Sequence, residues 1–239
     1  MQQEKKQDPY KEGDIVIWKI NDHLILKAEV GERRKHIVTR TPRGEAEFYR
    51  PQYERYIGQF PIDYQPTRFA KISEVEAIDM PISKASRGYE FNLMLNGSTV
   101  QATDEIVESS YALDHPDQVK VVIKTADVEG DTKQFFDSYL MLELEADSAE
   151  TNNGVTCYRF KDGSSGQGCF GHSLNDAVSG FQFYISPDVN YRIQTYTKEA
   201  IYGGLKVQWY VDQRNISRAQ EIDAAIWRLL KIRNISPIE

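Results

Sequence analysis

The chain of 239 residues contains no apolar run of about 18 residues, which excludes a membrane-spanning helix. It holds only two cysteines, and they do not form the Cys-x₂-Cys pairs of structural zinc sites. The histidines His23, His36, His115 and His172 are scattered and share no ligand spacing. Gly163-Ser-Ser-Gly166 lacks the Gly-x-Ser-x-Gly spacing of a nucleophile elbow and reads as a flexible hairpin tip. Cys169 and His172 make a poor thiol–base pair, three residues apart in a stretch of little helical character. A glycine-rich phosphate loop, an internal repeat and a low-complexity block are all missing. The expectation is therefore a chain with no catalytic residue, no metal and no cofactor.

Charge is the first positive signal. The net charge is −7, and residues 71–150 carry 17 acidic side chains against 6 basic ones. Glu74, Glu76, Asp79, Asp104, Glu105, Glu108, Asp114 and Asp117 are the densest part. Such a surface repels nucleic acid and steers a basic protein partner, or it is a solvated face that keeps the chain dispersed. The one cationic patch, Arg33 to His36 with Arg40 and Arg43, lacks the aromatics that stack bases and is diluted by nearby glutamates, so it reads as a solvated hairpin. Acidic pairs such as Glu143 and Glu145 would share one strand face, and a charged sheet face is the simpler reading than a paired-carboxylate site.

Patterning predicts an α+β fold of mainly antiparallel sheets with few helices, in two packed halves closed by a C-terminal amphipathic helix. Residues 1–13 are polar and read as a flexible tether, as in a mature exported protein whose leader is gone or a cytosolic protein with a frayed terminus. The halves are 14–130 and 131–239, with the seam at Gly130-Asp131. Strands are expected at 14–20 and 23–30, at 37–40 and 45–49 around the Thr41–Gly44 turn, and at 89–95 and 99–103 around Asn96-Gly97. Further strands are expected at 119–125, at 158–160 and 181–185, around Phe170, and on either side of Gly203-Gly204. Pro51 to Pro66 reads as an irregular but ordered connection, and periodicity leaves Thr132–Glu145 open between helix and strand. The closing helix is expected over about 217–231. Ser217 and Gln220 form a capping-box pattern, Ile222, Ile226 and Leu229 face the core, Trp227 packs at the margin of that face, and Asn234 and Pro237 stop the helix.

Cys157 and Cys169 flank a short strand and a Gly/Ser-rich turn, a spacing that brings two sulfurs together across a hairpin. A disulfide there implies an oxidising compartment and is worth about 3 kcal/mol through loop closure. Two free thiols in a cytosolic protein are the alternative.

Arg55-Tyr-Ile-Gly-Gln-Phe-Pro-Ile-Asp63 resembles the Gly-Arg-aromatic-x-x-Asp segment near the start of immunity proteins that pair with lipase or phospholipase effectors of type VI secretion systems, with Gln59 standing in place of the arginine. The ending Glu221-Ile-Asp-Ala-Ala-Ile-Trp227, closing on Asn234-Ile-Ser-Pro237, resembles the helix-then-proline ending of the same group, and Cys157 is similar in placement to their disulfide-bearing strand. The resemblance implies a periplasmic protein of two α+β halves, held to a membrane only through a lipid anchor. Such a protein neutralises a cognate secreted effector by stoichiometric occlusion and performs no catalysis. A structural lipoprotein that binds envelope material, and a divergent hydrolase built from isolated acids, are the alternatives. The partner-binding candidates are Asp104, Glu105 and Glu108, and the polar tip with Lys161, Asp162, Ser164, Ser165 and Gln167.

Overall fold

The computed structural model describes residues 11–29, 34–40, 48–54, 56–57, 60–61, 71–82, 89–96, 99–102, 117–126, 129–187 and 192–238. In chain order its elements begin with β1 (Ile15–Asn21), β2 (Leu24–Glu29), β3 (Arg34–Arg40), β4 (Phe48–Glu54), β5 (Tyr56–Ile57) and β6 (Phe60–Pro61). Then come α1 (Glu74–Asp79), β7 (Tyr89–Asn96), β8 (Thr99–Ala102), β9 (Gln118–Thr125) and α2 (Thr132–Glu143). The rest are β10 (Glu150–Asn152), β11 (Val155–Arg159), β12 (Gln167–Gly171), β13 (Phe181–Ile185), β14 (Arg192–Gln194), β15 (Leu205–Asp212) and α3 (Ala219–Arg233). The class is α+β, and every strand pairing is antiparallel among the described residues.

A five-stranded sheet in the order β14-β15-β9-β7-β8 forms the centre. Period-2 alternation turns Phe91, Leu93 and Leu95 of β7, Val119, Val121 and Ile123 of β9, and Leu205, Val207, Trp209 and Val211 of β15 into one core. Ile222, Ile226, Trp227, Leu229 and Leu230 of α3 belong to the same core, as do Val16, Trp18, Ile20, Leu24 and Leu26 of the β1–β2 hairpin. The chain end ties that hairpin down: Asn234 accepts from the Ile25 amide at 3.0 Å and donates to the His23 carbonyl at 3.0 Å. A four-stranded sheet, β10-β11-β12-β13, lies beside it. Cys157, Cys169, Phe181 and Phe183 go to the main core, while Phe170 and the half-buried Tyr158 and Phe160 pack with Phe136, Tyr139 and Leu140 of α2.

Several expectations change. Gly130-Asp131 starts α2, with Asp131 as N-cap, but β15 pairs with β9, so strands from both sides of that seam share one sheet. Thr132–Glu143 is helix throughout, and Glu143 and Glu145 therefore do not share a strand face. The hairpin of β3 and β4 pairs Arg40 with Phe48, later than the 45–49 strand expected, and 41–47 lie outside the described residues. Part of the expected irregular connection, Pro51–Glu54, continues β4, and β5 pairs with β6. Ser217 does not cap α3. Asp212 accepts from the Arg214 amide and caps a 3₁₀ turn, Gln213–Arg218, that runs straight into the helix, so Ser217 already lies in a helical turn. Trp227 is inside the core and not at its margin, 7% exposed. Asn153-Gly154, with positive φ values of 48° and 78°, closes the β10–β11 hairpin as an Asn-Gly turn favours.

Asp223, one turn before Trp227, is 2% exposed. It accepts from Ser173 Oγ at 2.6 Å, from Trp227 Nε1 at 3.0 Å and from the Leu174 backbone. Burial pushes its carboxyl from the ordinary 3.8 up to about 6, against the opposing pull of these hydrogen bonds. Between those values the folded chain holds a proton that the unfolded chain releases. The stabilising contribution of Asp223 is therefore fullest below the unfolded value and is lost as pH rises through about 6.

Two outcomes follow for α3. Trp227→Ala should cost about 3–5 kcal/mol in denaturant unfolding, because the ring is buried and its loss also strips a donor from Asp223; a cost near zero would mean the ring lies at the surface. In Asp223→Asn, the stability difference from wild type should change by on the order of 2–3 kcal/mol between pH 4 and pH 7, with the wild type gaining at the acid end. Parallel pH curves for the two proteins would show that the carboxyl does not titrate in that window.

Candidate docking surface at a stiffened hairpin tip

The β11–β12 hairpin carries the tip singled out in the sequence. Its register pairs Cys157 with Cys169, Tyr158 with Gly168 and Arg159 with Gln167. The disulfide joins Cys157 to Cys169 as direct cross-strand partners, with Cα atoms 4.1 Å apart, two residue pairs below the turn. A cross-link in this place belongs with proteins of oxidising compartments. No described helix is long and apolar enough to cross a membrane.

The tip is ordered by its own contacts. Asp162 accepts from the Ser164 amide at 2.8 Å, an Asx turn, and this bond holds its carboxyl below the usual carboxylate range. Gly163 donates to the Phe160 carbonyl at 3.3 Å. Gly166 is buried against the ring of Tyr184, where an added Cβ would lie 2.2 Å from the hydroxyl oxygen, so any larger residue must push that ring aside. Phe160 contacts the rings of Tyr139 and Tyr184 and seats the base of the tip on α2. Lys161, Asp162, Ser164 and Ser165 are exposed together at the turn. Gln167 is not part of it: half-buried in β12, it is held between Arg159 and Ile185 by the sheet register. Asp104, Glu105 and Glu108 lie outside the described residues.

The tip also meets the end of α2. Lys161 donates its amide to the Glu143 carbonyl at 2.9 Å and its ammonium to the Met141 carbonyl at 2.5 Å. Two carbonyls at the helix C-terminus are thereby satisfied by one residue of the hairpin. The other end of α2 is equally fixed. Asp131 accepts from the Gln134 amide, Ser179 from the Lys133 amide and Glu199 from the Thr132 amide. Burial works to raise the Glu199 carboxyl, but hydrogen bonds from Ser179 and Thr132 outweigh it and leave its pKa below the usual value.

The outer side of this helix is an exposed surface outside the sequence-level candidates. Met141 and Leu142 are 72% and 73% exposed, at the end of the helix whose Met141 carbonyl Lys161 bonds. The signal was present in the apolar residues at 135, 136, 139, 140, 141, 142 and 144, which are too many for one face of a helix. Among the described residues no group of three or more His, Cys, Asp or Glu is placed to hold a metal.

Replacing Cys157 and Cys169 together by serine should cost about 3 kcal/mol of stability and speed amide exchange across 160–166. Unchanged stability in the double variant would mean that the loop closure is not what orders the tip.

No protein-family model, no curated protein and no solved structure matches this chain.

Proposed function

We propose that this protein is a periplasmic immunity protein that neutralises a cognate type VI secretion effector, a lipase or phospholipase by the resemblance, through stoichiometric occlusion. The observation that carries this reading is the pre-ordered hairpin tip. It exposes Lys161, Asp162, Ser164 and Ser165 on a turn braced by a disulfide, an Asx bond and the Phe160–Tyr184 contact. A protrusion of small polar residues enters a narrow cleft where a bulky loop would clash. Because it is already ordered, little conformational entropy is lost on docking. The disulfide agrees with an extracytoplasmic site of action. The acidic middle third supplies long-range attraction to a basic partner, with Asp104, Glu105 and Glu108 as its sequence-level candidates.

The test is kinetic, against the purified product of the gene neighbouring this chain's own, which the reading expects to be the toxin. Replacing Lys161–Ser165 with a two-glycine link should speed dissociation by about tenfold or more. Reversing Asp104, Glu105 and Glu108 to lysine should slow association, and the effect should fade as added salt shortens the screening length from about 10 Å to about 3 Å. Wild-type protein that does not bind the toxin at micromolar concentration, or that fails to protect toxin-exposed cells, sinks the reading.

A further inference from the structure

We propose that the outward face of α2 is the apolar centre of the partner contact, and that the partner meets it with an apolar pocket ringed by lysine and arginine. The proposal rests on the binding function argued above and adds to it the chemistry of the partner's surface.

α2 is a helix with two apolar sides. Phe136 is buried, and Tyr139 and Leu140 pack with it onto the four-stranded sheet. On the other side Phe135, Met141 and Leu142 are exposed at 48%, 72% and 73%. Positions 135, 138 and 142 form one row of the helix, with 141 beside it. Single exposed apolar residues are ordinary, but three on one face of a twelve-residue helix form a patch. The polar residue in the middle of the row does not interrupt it. Ser138 is small, and its hydroxyl donates to the Gln134 carbonyl at 3.0 Å, so it can be covered without losing a partner. Phe135 is steadied by the Lys198 ammonium, 3.9 Å from its ring centroid. The face is rigid because both helix ends are tied: the N-terminus to Asp131, Ser179 and Glu199, the C-terminus to Lys161.

Charge selects the occupant. Glu143 follows Leu142 directly, and Asp162 follows Lys161, whose ammonium sits on the Met141 carbonyl; both carboxylates are exposed, and neither forms an ion pair among the described residues. Residues 131–150 carry 6 acidic side chains and 1 basic one. A second copy of the chain would set this rim against itself, and an anionic membrane would be repelled by it. A partner with basic residues around an apolar pocket gains on both counts: burial of Met141 and Leu142, and attraction at the rim. Methionine suits the centre of such a contact, since its unbranched thioether adapts to an irregular pocket.

The experiment uses the full chain and the purified product of the neighbouring gene, the toxin that the proposed function expects. Leu142→Lys should weaken the complex by about 100-fold through loss of the apolar anchor and repulsion from a basic rim. Met141→Ser should weaken it by about tenfold, and Glu143→Lys should slow association in low salt alone. All three sites are exposed, so the melting temperatures should match wild type, and any variant that shifts is replaced by Leu142→Gln. If wild type binds the toxin and the α2 variants bind equally well while the tip variant does not, this inference is overturned and the binding function stands. If wild type itself does not bind, that function falls and the inference falls with it. If sedimentation shows a wild-type dimer that Leu142→Lys dissociates, the face is a self-contact and the proposal is wrong.

Discussion

The pairing of β9 with β15 is the contact on which the rest of the molecule depends. It runs from Val119 opposite Val211 to Thr125 opposite Leu205 without a break in register. β7 and β8 extend the sheet on one side and β14 on the other. Because the register is continuous, one face of three adjacent strands is apolar throughout, and that face is what α3 and the β1–β2 hairpin cover. A slip of one residue would turn Val119, Val121 and Ile123 away from the core and leave both covering layers without a surface to bury. The pairing joins distant parts of the chain, so its loop-closure cost must be met by the contacts that follow. α3 starts one short 3₁₀ turn after β15 and is thereby delivered onto the sheet.

The smaller sheet converts that stability into a presented surface. Alternation along β11, β12 and β13 sends one set of side chains into the main core and the other toward α2. The disulfide lies on the core side, and the aromatic cluster of Phe136, Tyr139, Phe160 and Phe170 on the other. The hairpin is therefore braced from both of its faces. α2 is the outermost layer and is fixed at both ends by hydrogen bonds from other elements, which leaves its outer row without protein to cover it. Rigidity at the hairpin tip and exposure along the helix are two results of the same layering.

Much of this was legible in residue patterns. A run of β-branched and aromatic residues marked β1, β9 and β13 closely, and two cysteines on either side of a Gly/Ser turn implied the bond that joins them. The apolar face of α3 was readable from Ile222, Ile226 and Leu229. Where local patterns misled, a neighbour had intervened. The Ser217 capping pattern was local, but Asp212 had already begun the turn before it. Trp227 lay beside the apolar stripe of an isolated helix, but Asp223 gives its indole nitrogen a buried acceptor and lets the whole ring enter the core. Gln167 belonged to the polar tip in sequence, and sheet register drew it into β12.

By itself the amino-acid sequence determined the α+β class, most strand positions, the closing helix and the cysteine pair, because each depends on periodicity or spacing within a short stretch. Tertiary structure alone decided that strands on both sides of Gly130-Asp131 share one sheet, that Thr132–Glu143 is helical, and that Phe135, Met141 and Leu142 remain uncovered. The physical reason is common to all three. An apolar residue carries no mark of which surface will bury it, and for α2 that depended on the position of the four-stranded sheet, which meets only one side of the helix.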